Sequence, residues 1–373
     1  MLKKISCLGL AVLAFSSFAK EPNELCVPTQ SGTQFVSGDG SADAPYLICN
    51  RVQLDRIGSE GELLNKHFVL GTDLDYANYT FNVIGSESSP FTGSFDGDGY
   101  YLGNVILPKL REEYLSLFGY VNGATIENLS VEGVSIPTAN KHVGGLIGFA
   151  KGATLTNLHT NIGSIAASQY VGGIAGELVD SQLTSSSSRG VLTQFSGAYA
   201  TGGLVGYSKN VDIKACRSFV FFYPYDKKSA NNITALGGLV GYANKTRIQN
   251  AYSISQFHYG LFNQPVLKQT GGLAGVMEKG SLKNSFFAGR FVLNIDDETI
   301  GGVVGKEIGK VGAQKVFWDA QVSKMEHSAI GMKKTETIMK TKSFWLSQGF
   351  DEHIWKIMDG SYPTLWGVDR FYP

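Results

Sequence analysis

Two adjacent glycines, two apolar residues and a third glycine form a block that recurs six times in this chain. The copies run Gly144–Gly148, Gly172–Gly176, Gly202–Gly206, Gly237–Gly241, Gly271–Gly275 and Gly301–Gly305, with spacings of 28, 30, 35, 34 and 30 residues. A degenerate copy, Leu115–Gly119, precedes them. Self-similarity at a fixed period of this length signals a solenoid, in which each repeat buries its apolar face only against its neighbours. Glycine therefore rises to 46 of 373 residues, well above the usual ~7 %. A helix is a poor host for the block, because each interior glycine costs roughly 1 kcal/mol there. The flanking runs Thr154–Thr160, Val211–Phe222 and Phe286–Leu293 are β-branched or aromatic, as strands require.

The periodicity continues past the glycines. Seven residues beyond each block except the last stands an aliphatic, Ile126, Leu155, Leu183, Ile213, Ile248 and Leu282, and two further on there is often an asparagine: Asn128, Asn157, Asn250 and Asn284. In a parallel β-solenoid equivalent residues of successive coils stack about 4.8 Å apart. Aliphatics then form interior columns, and asparagines form amide ladders at turns. The next position, Leu129, Leu158, Ser186, Cys216, Ala251 and Ser285, stays small to medium, which makes Cys216 a buried apolar residue. The fold expected is all-β: a parallel β-helix of about seven repeats of ~30 residues with short caps. The segment Ala124–Val131 also suits a leucine-rich horseshoe, the runner-up, but the glycine block stands where its convex helix would be.

With these motifs the chain resembles the bacterial GLUG-repeat proteins, named for the Gly-Leu-any-Gly block. Gly38–Ile48 is similar to that family's opening segment, Pro90–Tyr100 to its hairpin, and Val316–Asp319 and Gly360–Leu365 to its closing motifs. The resemblance covers most of the chain after the leader. It implies a secreted or surface-displayed adhesin-like module, and the family offers no agreed catalytic residues to carry over.

Met1–Ala19 has the basic start, short apolar run and small-residue end of a cleaved secretory signal. No later segment approaches the ~20 apolar residues of a membrane-spanning helix. Residues 20–110 are expected to hold an N-terminal extension, a capping segment and a hairpin, residues 111–315 the solenoid, and residues 316–373 an aromatic-rich cap. In the first cap Asn50 is placed to N-cap a helix through about Ile57, with Leu54 and Ile57 inward, and Asp96–Gly97 fits a tight hairpin turn. In the second, Thr335–Leu346 has helical composition, and all four tryptophans lie among the last 56 residues. In an oxidising compartment Cys26 and Cys49 are the natural disulfide pair.

The chemistry expected is binding. Charge is balanced, 32 basic against 32 acidic residues, without the basic stripe that nucleic-acid binding needs. The six histidines, His67, His142, His159, His258, His327 and His353, are scattered and read as surface or cap residues, with no metal-ligand spacing. Asp39, Asp73, Asp75, Asp96 and Asp98 could include a structural calcium site, but adjacent glycines favour turn chemistry, so no cofactor is assigned. Asp296 and Asp297 resemble polygalacturonase acids but lack the partners such a site needs, and a turn is preferred. The most distinctive remaining feature is aromatic. Phe222, Phe257 and Phe291 fall at one position of successive coils and suggest a buried ladder, whereas Tyr223, Tyr225 and Tyr259 are placed on a bulge that binds a cell-surface or matrix glycan or protein. The resulting expectation is a secreted, surface-associated or periplasmic adhesin-like protein without catalysis. The alternatives are a polysaccharide-active β-helix lyase or hydrolase, or a structural component of an extracellular matrix or fibre.

Overall fold

The structure, a computed structural model, describes residues 20–26, 32–107, 113–225, 233–259, 267–292 and 300–368. Each glycine block opens a five-residue strand, and these strands stack in chain order into one seven-stranded parallel sheet. Its members are Phe118–Asn122, Ile147–Lys151, Ala175–Val179, Val205–Lys209, Val240–Asn244, Ala274–Glu278 and Val304–Ile308. From there the chain turns into a longer run, such as Thr154–Gly172, that bends around the coil and returns to the next block. These runs form a second parallel sheet. The molecule is thus a parallel β-solenoid of about seven turns, as the repeat implied.

The aliphatic column is in register across six successive coils. Ile126 pairs with Leu155, Leu155 with Leu183, Leu183 with Ile213, Ile213 with Ile248, and Ile248 with Leu282, and all are buried. The asparagines hold the next corner. Asn128, Asn157, Asn250 and Asn284 have φ of 53°, 55°, 52° and 46°, left-handed backbone that asparagine tolerates better than most residues. Asn157 Nδ2 donates to Asn128 Oδ1 at 2.9 Å, and Asn284 Nδ2 to Asn250 Oδ1 at 3.1 Å.

The glycines permit close approach where the coil is pinched. A Cβ on Gly173 would run into the Gly203 carbonyl and the Ser188 side chain, and one on Gly206 into the backbone of Tyr170 and Val171. Neighbouring hydroxyls use the carbonyls this exposes: Thr160 Oγ1 donates to Gly173 O at 2.8 Å, and Ser188 and Ser218 donate to Gly203 O and Gly238 O.

Parallel coiling begins earlier than the repeat blocks. Tyr46–Ile48, His67–Leu70 and Ser94–Asp96 lie parallel to one another and lead into Thr125–Glu127. The hairpin expected at Asp96–Gly97 is therefore corrected. The Asp96 carboxylate accepts the Asp98 N–H at 2.7 Å and Gly97 N donates to Glu127 O, so the chain turns a solenoid corner instead of reversing. The N-terminal helix spans Arg51–Ser59, its Asn50 side chain accepting from Gln53 N, with Leu54 and Ile57 buried. Cys26 and Cys49 are disulfide-bonded, and Cys216 is free and buried.

At the other end the single helix expected over Thr335–Leu346 is two short ones, Glu336–Met339 and Lys342–Ser347. Thr341 between them is extended, and Asp359 restarts the helix by accepting from Lys342 N at 2.8 Å. Trp345 and Trp355 are buried against Tyr252, Phe286 and Phe317, which occupy one column of the last coils. The cap thus lies along the side of the solenoid. Trp366 remains exposed.

Candidate functional site: a ring-lined groove on the glycine-block sheet

The residue after the third glycine of each block occupies the outer side of the seven-stranded sheet, covered only at Val276. In register order these residues are Tyr120, Phe149, Glu177, Tyr207, Tyr242, Val276 and Lys306. Beside them runs a second column from just before the glycine pairs, Tyr114, His142 and Tyr170, whose φ of 60°, 56° and 51° tilts their rings over the sheet. Tyr199 joins from the neighbouring position, 5.9 Å from Tyr170.

The rings contact one another across coils. Tyr120 and Phe149 stack at 4.5 Å, Tyr207 and Tyr242 at 5.5 Å, and Tyr114 and His142 at 4.7 Å. Tyr170 closes the wall at 5.4 Å from Tyr207. Tyr120, Phe149, Tyr170, Tyr199, Tyr207 and Tyr242 line an open groove of about 690 Å³ with Lys151, Asp180 and Lys209 on its rim and Glu177 in its floor. His142 Nδ1 lies 2.9 Å from Glu177 Oε2, both side chains being largely buried. Burial pushes the Tyr114 phenol up to about 12 and raises those of Tyr120, Tyr170, Tyr199, Tyr207 and Tyr242, with nearby carboxylates adding to the effect. At neutral pH the groove therefore presents uncharged phenols as ring faces and hydroxyl donors. Tyr242 spends its hydroxyl on Glu278 Oε2 at 2.8 Å, which anchors that end of the row. A smaller hollow of about 420 Å³ lies between Gly58–Leu64, Val83–Ser89 and Tyr114, lined mostly by glycine and serine.

The residues expected to form a binding patch behave differently from one another. Tyr259 is fully buried, its hydroxyl donating to Gln194 Oε1, so its placement on an exposed patch is corrected: the ring fills the coil interior. Tyr223 is half-buried and stacks on His258 at 4.8 Å, and Tyr225 is exposed beside Phe195 at 4.5 Å. The expected interior ladder is present: Phe222 and Phe257 stack at 4.8 Å, Phe257 and Phe291 at 4.5 Å, all buried. Asp296 and Asp297 lie outside the described residues.

Two histidines read as surface or cap residues are buried. His142 packs against Glu177 behind the groove lining; His159 sits between Ser187 Oγ at 2.8 Å and Asn157 Oδ1 at 2.9 Å, and burial lowers its pKa to about 4. The aspartates considered for calcium make turn and ladder bonds, such as Asp39 Oδ1 to Ser41 N at 2.8 Å and Asp75 Oδ1 to Ala77 N at 2.9 Å. Among the described residues no group of three or more His, Cys, Asp or Glu side chains could hold a metal ion. None of the described helices is long and apolar enough to cross a membrane. The groove was open to detection in the sequence: an aromatic follows the third glycine in four of the first five blocks, the degenerate one included, and Glu177 is the exception.

No family model matches the chain. Among curated proteins it is 26 % identical to halomucin of Haloquadratum walsbyi over 351 residues, 91 % of this chain and 3 % of that protein. It is 30 % identical to the immunoglobulin A1 protease of Streptococcus pneumoniae over 189 residues, 49 % of this chain and 9 % of that protein. The chain thus spans under a tenth of the length of either relative. Among solved structures, a proposed immunoglobulin A1 protease from Bacteroides ovatus superposes with a TM-score of 0.53 at 19 % identity, covering 88 % of this chain and 94 % of that one. An IgA1 protease superposes with a TM-score of 0.51 at 16 % identity, covering 84 % of this chain and 24 % of that one. These two structural likenesses concern the fold, a β-helix shared with proteins of that name. The expectation that the chain is no enzyme is corrected here, because both sequence and structure neighbours carry the name of a protease. Taken together, the relatives support a secreted or surface-located β-helix protein, and they do not select adhesion as its role.

Proposed function

We propose that this chain is an exported β-solenoid that engages a protein partner for a proteolytic system, holding it in the ring-lined groove of the glycine-block sheet. Export is drawn from the Met1–Ala19 leader, and the repeat type from the resemblance to GLUG proteins. The observation that carries the reading is the row of outward rings from Tyr120 to Tyr242, placed by five successive coils beside Tyr114, Tyr170 and Tyr199. A rigid sheet can hold such a row open without paying to order it on binding, and half-buried tyrosines are effective anchors at interfaces. The protease names of the relatives make a protein the first partner to try, and immunoglobulin A1 the first probe.

The test is retention of immunoglobulin A1 on immobilised chain (Lys20 to Pro373), beside a panel of insoluble glycans, with gels for cleaved protein and an assay for released sugar ends. Saturable protein retention that is lost in a Tyr207→Ala, Tyr242→Ala double variant supports the reading. Cleavage that disappears in Glu177→Gln would place chemistry in the groove itself, a second reading that the Glu177–His142 pair favours. Glycan retention with sugar release and no protein retention would overturn the proposal in favour of a polysaccharide-active enzyme.

A further inference from the structure

Glu177 breaks the ring row. On the coil before it the same column carries Phe149, stacked on Tyr120, and on the coil after it Tyr207, stacked on Tyr242. The two ring pairs therefore face each other across a notch two coils wide, about 9.6 Å from Phe149 to Tyr207. Tyr170 walls one side, and the carboxylate forms the floor. That side chain is only 15 % exposed, and among the described residues its one polar partner is His142, through Oε2. An ionised carboxylate offers about four acceptor sites. His142 Nδ1 sits close but without hydrogen-bond geometry, so this mostly buried carboxylate is under-satisfied, and the groups that answer it best are cations with several N–H donors.

We propose that this notch is a specificity pocket for an arginine side chain of the protein partner. The inference rests on the groove reading above and names the group recognised. A guanidinium is planar, so it stacks on the faces of Phe149 and Tyr207 while it donates two parallel N–H bonds to a carboxylate. Neutral phenols on the walls strengthen the attraction by excluding water from the pair. Lys151 and Lys209 stand exposed on the adjacent rim column on either side of Val179, and Lys141, next to His142, is paired with Glu113, which leaves the floor carboxylate, not the rim, to meet an incoming cation.

The test titrates the full chain from Lys20 with Nα-acetyl-arginine methylamide, the neutral citrulline analogue and the glutamate analogue, following tyrosine fluorescence or NMR shifts. The arginine probe is expected to bind about tenfold more tightly than the citrulline probe, and Glu177→Gln to erase that difference. Tyr207→Phe should keep it, and thermal melting of each variant shows that the fold is retained. Equal affinity for arginine and citrulline, or an unchanged preference in Glu177→Gln, overturns the proposal. Preference for the glutamate probe overturns it too and points to an anion held by Lys151 and Lys209. Immunoglobulin retention that is lost in the Tyr207→Ala, Tyr242→Ala variant but kept in Glu177→Gln would leave the groove reading standing and the arginine pocket refuted. Selective arginine binding without any protein retention would do the reverse.

Discussion

Two stacks of aromatic rings follow this solenoid at the same coil spacing, one sealed and one open. Phe222, Phe257 and Phe291 stack inside the coil without a polar atom among them, while Tyr120, Phe149, Tyr207 and Tyr242 stand on the outer face of the glycine-block sheet with Tyr114, Tyr170 and Tyr199 beside them. The coil pitch sets the stacking in both. Which stack can bind anything is set by the side of the strand its residues occupy. Composition largely follows the same division: phenylalanine alone builds the dry stack, and tyrosine, whose hydroxyl needs a partner, supplies every ring of the outer row except Phe149. Tyr259 is an interior tyrosine that obeys the rule by bonding Gln194.

The contrast can be broken most severely at the middle of the sealed stack. Phe257→Ala removes a ring packed on both sides and should cost about 3–5 kcal/mol in urea denaturation. Tyr207→Ala in the open stack should cost less than about 1 kcal/mol. Similar losses at the two sites would show that the groove rings are structural.

A smaller effect comes from the buried imidazole. His159 has a folded pKa of about 4 against an ordinary 6.5, so the unfolded chain binds the proton first as pH falls. The stability contribution is complete above pH 6.5 and is lost on the way down to pH 4, on the order of 3 kcal/mol in all. Denaturation curves at pH 7.5 and 4.5 should differ by most of that amount, and His159→Gln should narrow the gap. A gap that His159→Gln leaves untouched would assign acid sensitivity elsewhere.

The corner ladder should respond less again. Asn128→Ala removes the bond donated to Asp96 at 3.0 Å and the one accepted from Asn157 at 2.9 Å, and puts alanine at φ 53°. A loss of about 1–3 kcal/mol is expected, with Asn128→Gly losing less because glycine takes that backbone freely. Equal losses would mean that the ladder bonds, not the backbone, set the asparagine preference. The smallest stability effect belongs to Glu177→Gln, within about 0.5 kcal/mol, since it keeps the volume and removes no hydrogen bond, the His142 contact lacking that geometry. Thermal melting that moved strongly would make the Glu177–His142 pair a fold contact.

Much of the fold was legible because the repeat acts locally. Ile126, Leu155, Leu183, Ile213, Ile248 and Leu282 are read as one column from their distance to the glycines, and the structure places them so. The Phe222–Phe257–Phe291 ladder is found by the same counting. Counting failed at Tyr259 and at the hairpin, because neither burial at a corner nor strand direction is written in the spacing. A left-handed residue such as His142, Tyr170 or Asn157 shifts the in-and-out alternation of the residues after it. Parity cannot be carried through such a corner from the sequence alone.

The sequence by itself determined the period, the glycine positions where backbones touch, the interior columns and the amide corners, since each depends on a residue and its equivalent one coil away. Tertiary structure alone decided that Tyr170 and Tyr199 wall the ring row, that the cap seats Trp345 and Trp355 along the side of the solenoid, and that Glu177 lies between two ring pairs with His142. Those outcomes depend on how the coil bends between blocks and on which face the cap covers. That geometry joins residues whose sequence separations share no single period.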